Sequence, residues 1–327
     1  MRSLNTPKVN NLKTLKKWRL IFAGTPSYAI PSLEALAAMP QIEIVGVITQ
    51  KPKPNGRGYK LTPSPVATFA QNKGFLVLTP DTLKNTEFKA VLKSMNADVA
   101  IVIAYGKIIP TDLLEFLPLG WLNLHASLLS RWRGAAPIQH ALIAGDAETG
   151  VSLMQIQAGL DSGPVFKMIK THILQDETAT TLAEKLAFLS AKILNESLIE
   201  CLLGNLRAKP QSETGVTVAP KIEKSDGEIF WSESAIKIER KIRALNPWPG
   251  TFCKWGDSTL LIRSAKTSPE KTAMGLVVKH PEGCVIGAGQ GSIIPKTVQL
   301  PGKKPSSIQN FLIGHPGFVG TNLANSS

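Results

Sequence analysis

The chain has 327 residues, is 43% hydrophobic, and carries a net charge of +13 from 37 Lys and Arg against 24 Asp and Glu. That length allows one large or two medium domains, and no window reaches the roughly 18 to 20 consecutive apolar residues of a membrane-spanning helix. Three cysteines (Cys201, Cys253 and Cys284), odd in number and far apart, argue against a disulfide framework and for a reducing compartment.

Residues 1–18 read as a basic N-terminal extension. The first nineteen residues hold six Lys or Arg and no acid, without the apolar stretch of a secretory signal, so they suit either a tail or a transit segment. Arg19–Ala23 is a predicted strand. Gly24-Thr25-Pro26-Ser27 follows it, with Ser27 available to cap a helix over Tyr28–Met39. Glu43–Thr49 is a second strand, and two apolar strands joined by a helix imply a parallel βαβ unit. A Pro/Gly/Lys-rich segment, Gln50–Pro65, precedes a helix at Val66–Lys73, a strand at Phe75–Leu78 and a helix near Asn85–Met95. Asp98–Ala104 is almost wholly apolar and should be a central strand. Trp121–Leu124 is the next strand, Ala135–Ala144 a helix, Val151–Ile156 a strand, and Leu182–Leu206 mainly helical. The spacing predicts an open, mostly parallel, Rossmann-like α/β domain over 19–207, with its ligand at the carboxyl ends of the strands. The turn at Gly24 lacks the G-x-G-x-x-G pattern, and no Walker A pattern occurs. That turn serves either as a helix start or as a phosphate approach.

After Leu206 the texture changes. Residues 208–226 are polar, broken by Pro210 and Pro220, and read as a linker. Over 227–327 short segments alternate with Gly and Pro: Gly227–Trp231, Thr259–Ser264, Gly275–Lys279, Cys284–Ala288 and Ser292–Val298. These predict a small β-barrel or sandwich with a helix at Ala235–Leu245 near its start. Charge follows this division. Residues 1–60 balance at +8, 61–220 at −1 and 221–327 at +6. The ends therefore suit a polyanion, an anionic membrane surface or simple solubility, while the middle has the balance of an ordinary enzyme body.

The chemistry lies on Trp121-Leu122-Asn123-Leu124-His125. Strand alternation points Asn123 and His125 to one face and the leucines to the other. A lone histidine is commonly structural, but one paired with an amide at a strand end, beside a loop, is placed where α/β enzymes work. Asp161 follows 36 residues later, bracketed by Gly159 and Gly163, which bends the chain to aim a carboxylate or to admit a ligand closely. Spacing alone does not join it to His125. As residue types the three are coherent. An amide N–H can meet an oxyanion, a carboxylate can hold an imidazole, and an imidazole can move a proton near neutral pH. No nucleophile elbow is present, so direct acyl transfer to an external amine fits better than a covalent intermediate. His140, His172, His280 and His315 show no metal-ligand spacing, and no metal is expected.

Several stretches carry a family resemblance: Ile21-Phe22-Ala23-Gly24-Thr25-Pro26, Asn55-Gly56-Arg57-Gly58, Ala104-Tyr105-Gly106-Lys107-Ile108-Ile109-Pro110, Asn123-Leu124-His125-Ala126-Ser127, Arg131-Trp132-Arg133-Gly134-Ala135-Ala136-Pro137, Asp161-Ser162-Gly163 and Asn246-Pro247-Trp248-Pro249. On these residues the chain resembles the folate-dependent formyltransferases and, within them, the methionyl-tRNA formyltransferase family, over about residues 19–320. The resemblance implies a formyltransferase domain followed by an OB-like β-barrel that binds tRNA, and a reaction that moves the formyl group of 10-formyltetrahydrofolate to the α-amine of initiator methionyl-tRNA. It implies that Asn123 stabilises the oxyanion, His125 relays the proton and Asp161 orients and charges the ring. Folate contacts fall on Tyr105, Gly106, Lys107, Ile108 and Ile109, on Ser127, Leu128, Leu129 and Ser130, and on Ile156, Gln157, Ala158, Gly159 and Leu160. Contacts to tRNA fall on Lys51, Lys53, Arg57 and Lys60, and on Lys237, Arg240, Lys241, Arg243, Lys303 and Lys304. Ser130 stands where relatives usually have Pro, and Lys53 and Tyr59 also depart from the family pattern.

The expected setting is the cytoplasm, or an organelle if the basic extension is a transit segment, with no membrane and no obligate protein partner. Three rivals make other demands. Another folate-dependent formyltransferase or a formyl-folate hydrolase would keep the trio without needing a basic β domain. A non-catalytic tRNA-binding protein would tolerate its loss. A dehydrogenase would need the missing glycine fingerprint.

Overall fold

Apolar runs flanked by turn residues set the first strands, and a computed structural model describes residues 17–55 and 60–324. Its elements are, in order, β1 (Trp18–Gly24), α1 (Ile30–Ala38), β2 (Ile42–Ile48), β3 (Lys53–Asn55), β4 (Lys60–Thr62), α2 (Pro65–Asn72), β5 (Val77–Leu78), α3 (Thr86–Ser94), β6 (Val99–Ile103), α4 (Thr111–Leu114), β7 (Trp121–His125) and β8 (Arg133–Gly134). There follow α5 (Pro137–Ala144), β9 (Glu148–Gln155), β10 (Val165–His172), α6 (Ala179–Leu202), β11 (Val218–Ala219), α7 (Ala235–Leu245), β12 (Thr251–Trp255), β13 (Ser258–Ser268), β14 (Val277–His280), β15 (Gly283–Gly287), β16 (Ser292–Gln299), β17 (Ser306–Ser307) and α8 (Ile308–Gly314). Seven strands hydrogen-bond in the order β10-β9-β7-β6-β1-β2-β5, which puts β6 at the centre, as its apolar sequence predicts. The described residues form two compact units, one within 17–122 together with Leu194–Arg207, the other of Asn123–Ile193 together with 208–324.

In the first unit β1 runs parallel to β2 and β6, with Phe22 opposite both Val47 and Ile101. Leu20 through Ala23 are fully buried, so this strand needs no polar alternation. Helix α1 starts three residues later than Ser27, after a 3-10 turn, and no side chain caps it, so Ser27 does not do so. Gly24 is required for close packing. A Cβ there would lie 2.9 Å from Ala29 Cβ and 3.0 Å from the Ile103 carbonyl, which favours the helix-start role of this turn. Within Gln50–Pro65 the chain forms a hairpin, β3 against β4, with Lys53 opposite Thr62. Arg57 and Tyr59 lie outside the described residues. Helix α2 is capped by Ser64, whose Oγ accepts the Ala67 N–H at 3.0 Å and lies 2.6 Å from Thr49 Oγ1.

In the second unit β10 pairs antiparallel with β9. Sequence reading misses β10 because its outer residues, Lys167 and Met168 among them, are exposed and leave no continuous apolar run. Part of the expected linker is bound into this unit. Lys209 exchanges both backbone hydrogen bonds with Val165, and β11 pairs with β8. Helix α7 occupies the predicted residues. It buries Ile238 and Ile242 in a core with Leu260, Ile262, Ile293 and Val298. The C-terminal strands form a six-stranded sheet, β12-β13-β16-β15-β14 with β17 on β16. Among the described residues no pairing joins β12 to β14, so a C-terminal sheet is what is observed where a barrel is expected. The predicted strand Gly227–Trp231 is instead the end of a 3-10 turn and an extended stretch tied by Ile229 N–H to the Phe252 carbonyl at 2.8 Å. No helix of the described residues is long and apolar enough to cross a membrane.

Ser64→Ala removes the α2 cap and strips Thr49 Oγ1 of its buried partner. It should lower stability by about 1 to 2 kcal/mol, read as a fall in the denaturation midpoint.

Candidate active site

Strand β7 ends on His125, and its alternation places Asn123 and His125 on one face, while Leu122 and Leu124 are buried on the other. The His125 ring is 6% exposed, so each of its nitrogens needs a protein partner or a ligand. Nε2 lies 2.8 Å from the Trp132 carbonyl and must donate to it. Nδ1 lies 3.6 Å from Asp161 Oδ2, which is longer than a hydrogen bond and within ion-pair distance for a protonated ring. Both nitrogens therefore face acceptor oxygens, and only the imidazolium could donate to both. The Asn123 side chain is half-buried, and its amide takes no hydrogen bond among the described residues. Asp161 stands beside His125, although sequence spacing does not establish that contact.

Backbone geometry aims these groups. Asp161 has φ +43° and Trp132 φ +61°, both in the left-handed region, where a non-glycine residue persists only if its neighbours hold it. Asp161 Oδ2 accepts the Gly134 N–H at 2.9 Å. Gly163 has no room for a side chain, since a Cβ would lie 1.9 Å from the Gln155 carbonyl. Trp132 is fixed at both ends. Its N–H donates to Thr217 Oγ1 at 2.8 Å and its indole Nε1 to Asp146 Oδ2 at 2.7 Å. Asp146 also takes a forked pair of bonds from Arg131, Nε to Oδ2 at 2.7 Å and Nη2 to Oδ1 at 2.6 Å. These hydrogen bonds hold the Arg131 guanidinium above its ordinary pKa. The same guanidinium lies 4.3 Å from the centre of the Trp132 ring, which stacks in turn on His140. Asp146, Gln211 and Thr217 escape a sequence reading. Asp146 acts on the side chains of Arg131 and Trp132, while Gln211 and Thr217 hold backbone groups from residues that read as a linker.

The expected folate residues lie in both units. In the first, Tyr105 is buried and its carbonyl accepts from Thr25 Oγ1 at 2.8 Å and Gln50 Nε2 at 2.9 Å. Burial pushes its phenol up to about 12. Gly106 is exposed, and Lys107 Nζ donates to the Pro80 and Asp81 carbonyls, each at 2.8 Å. Ile109 is buried, but Ile108 is 91% exposed. In the second, Ser127 Oγ donates to the Arg131 carbonyl, and Ser152 Oγ links the Ser127 carbonyl to the Leu129 N–H. Leu129 joins Met154 and Val165 in a small apolar cluster, Ser130 is buried and Leu128 half-buried. Ile156 is half-buried, Gln157, Ala158 and Gly159 are exposed, and Leu160 is 55% exposed.

The basic residues divide. Lys51 pairs with Asp81, and Lys53 Nζ donates to Gln50 Oε1 at 2.5 Å. Lys60, Lys237, Lys303 and Lys304 are exposed and have no ion pair among the described residues. Three others bind backbone carbonyls: Arg240 that of Ala144, Lys241 that of Glu228 and Arg243 that of Glu177. Lys241 also lies over the Phe230 ring, and burial lowers its pKa. Among the described residues no group of three or more His, Cys, Asp or Glu could hold a metal ion.

An open α/β sheet, in a chain that also carries a separate β sheet, has a match among known proteins. Residues 17–198 match the model of the family described as Formyl transferase, and residues 221–316 that described as Formyl transferase, C-terminal domain. The chain belongs to the formyl transferases. Within them it is 42% identical to the methionyl-tRNA formyltransferase of Myxococcus xanthus, over 91% of this chain and 95% of that one. It is also 42% identical to that of Marinobacter nauticus, over 90% and 96%. It is thus a member of the methionyl-tRNA formyltransferase family. The fold is shared with a solved N-formyltransferase from Helicobacter canadensis in complex with folinic acid and dTDP-3-aminofucose, at TM-score 0.63 and 17% identity over 85% of this chain and 98% of that one. It is shared as well with methionyl-tRNA formyltransferase from Clostridium thermocellum, at TM-score 0.54 and 19% identity over 86% and 98%.

Gly163→Ala drives a methyl into the Gln155 carbonyl, whereas Gly204 has open space around it. Gly163→Ala should cost about 2 kcal/mol or more and Gly204→Ala, with φ +77°, about 1 kcal/mol. Paired denaturation curves compare the two.

Proposed function

We propose that this chain transfers the formyl group of 10-formyltetrahydrofolate to the α-amine of initiator methionyl-tRNA, giving N-formylmethionyl-tRNA for translation initiation. The observation that carries the reading is the His125 ring held by the Trp132 carbonyl, with Asp161 at its other nitrogen, in a chain 42% identical to methionyl-tRNA formyltransferases over nine-tenths of its length. The amine attacks the formyl carbon and a C–N bond forms. The carbonyl oxygen becomes an oxyanion, and Asn123 donates an N–H to it. The C–N10 bond then breaks as N10 of the departing tetrahydrofolate takes a proton that the amine has lost. His125 carries that proton. Nε2 stays on the Trp132 carbonyl, so Nδ1, which makes no hydrogen bond among the described residues, is the nitrogen with room to exchange it. Asp161 stabilises the imidazolium by its charge.

Folate binding is assigned to Tyr105–Ile109, Ser127–Ser130 and Ile156–Leu160. Ile108 and Leu160 support this, because each leaves a large apolar side chain in solvent that a ligand would cover. Binding of tRNA is assigned to Lys51, Lys53, Arg57 and Lys60 and to the exposed Lys237, Lys303 and Lys304. Arg240, Lys241 and Arg243 remain secondary contacts, since they already hold carbonyls. The domains are read as a catalytic part over 19–207 and a tRNA-binding part over 227–327. We read the latter as a partly open barrel because β13 breaks register twice along β16. The setting is the cytoplasm, or an organelle if the basic N-terminal extension is a transit segment.

An assay comparing initiator Met-tRNA, elongator Met-tRNA and no tRNA tests the assignment, with formylation of the initiator expected to dominate. Release of formate without tRNA, or formylation of an amino sugar nucleotide in its place, would contradict it. His125→Ala should lower the transfer rate at least about 100-fold while leaving tRNA binding intact; retained transfer would remove its assigned role. Replacing Lys303 and Lys304 together by Ala should weaken tRNA binding and flatten its log–log dependence on salt by about 1 to 2.

A further inference from the structure

Asp161 adopts a left-handed backbone, and its carboxylate must still point at His125. Gln211, fifty residues away in sequence, supplies the hold. Its Nε2 donates to the Asp161 carbonyl at 2.7 Å and to the Gly163 carbonyl at 2.8 Å. An amide could face either way, but Arg133 selects the direction. Arg133 Nε and Nη2 both donate to Gln211 Oε1, at 2.9 and 2.8 Å, so the amide oxygen faces the guanidinium and the NH2 faces the two carbonyls. The residue after Arg133 is Gly134, whose N–H holds Asp161 Oδ2. Arg133, Gln211, Asp161 and Gly134 therefore close a ring that fixes the Asp161 backbone from one side and its carboxylate from the other. The segment that brings Gln211 in is pinned on both flanks. Lys209 exchanges two backbone bonds with Val165, at 2.8 and 2.9 Å. Ala219 lies against Gly134 so closely that a Cβ on the glycine would be 2.6 Å from its carbonyl oxygen.

We propose that Gln211, oriented by Arg133, is a positioning residue for formyl transfer: it keeps the Asp161 carboxylate at the His125 ring and itself touches no substrate. This rests on the reading of His125 and Asp161 as the reacting pair. It also gives residues 209–219 a role in the chemistry, where sequence composition suggests only a connection.

Gln211→Glu is the discriminating variant. It keeps an acceptor for Arg133 but turns a second oxygen, in place of the NH2, toward two carbonyls. The expected result is a fall in kcat of about 10- to 100-fold, with the KM for 10-formyltetrahydrofolate and for charged tRNA each within about twofold of wild type. In parallel, 15N spectra of histidine-labelled protein, with the His125 signal assigned from its loss in His125→Ala, should show the His125 ring resonances displaced and those of His172 and His280 in place. A kcat within about twofold of wild type, a fall matched by a rise in either KM, or unmoved His125 resonances would overturn the proposal. Arg133→Lys, which keeps the charge but loses the fork, should move both readouts in the same direction and decides the matter if Gln211→Glu does not fold. If wild type fails to formylate Met-tRNA, the functional reading falls, and the His125 resonances still decide the positioning role.

Discussion

A buried imidazole has two nitrogens, and each must be satisfied. In this protein that demand organises the second unit. Nε2 is met by the carbonyl of Trp132, seven residues along the chain, and Nδ1 faces the carboxylate of Asp161. For the carbonyl to turn inward, the loop after β7 must reverse, which it does through Trp132 in the left-handed region. A reversed loop is costly unless its polar groups are paired. Asp146 takes the Trp132 indole and the Arg131 fork, Thr217 takes the Trp132 N–H, and β8 lies beside β11. The loop after β7 is thus built from neutralised charge and paired backbone rather than from apolar packing alone, which suits the role proposed for it, holding one geometry beside open solvent.

Charge is partitioned in the same spirit. Basic residues near His125 and Asp161 are tied down, Arg131 on Asp146 and Arg133 on Gln211. In the C-terminal sequence Arg240, Lys241 and Arg243 bind carbonyls, and exposed lysines such as Lys237, Lys303 and Lys304 have no ion pair among the described residues. Lysines of that kind attract phosphate without fixing one geometry. On the proposed function, these lysines would draw tRNA by many weak contacts while a few fixed groups place the reacting amine.

The sequence carries most of the open α/β sheet, since buried strands such as β1 and β6 are continuous apolar runs and α7 is a regular amphipathic stretch. Asn123 and His125 were legible for the same reason: two polar residues at alternate positions stand out on an apolar strand. Asp161 is visible as a carboxylate between glycines, but its spacing does not join it to His125; family resemblance does. The rest is hidden for physical reasons. The Trp132 carbonyl and the Gly134 N–H are backbone groups, which no residue letter records. Gln211 and Thr217 act across the fold from a stretch whose polar composition matches any connection. The edge strand β10 and the hairpin β3–β4 lack apolar runs, and the barrel expected from short strands appears as a sheet because strand spacing does not encode closure.

The central claim is that the carboxylate of Asp161 is required at the ring of His125 for formyl transfer to Met-tRNA. Asp161→Asn keeps the shape and the acceptor for Gly134 N–H while removing the charge, so the rate of transfer in a single turnover, with 10-formyltetrahydrofolate and initiator Met-tRNA both saturating, is the most direct measurement. A fall of about 100-fold or more with tRNA affinity unchanged is the predicted result. A rate close to that of the unaltered protein would contradict the account.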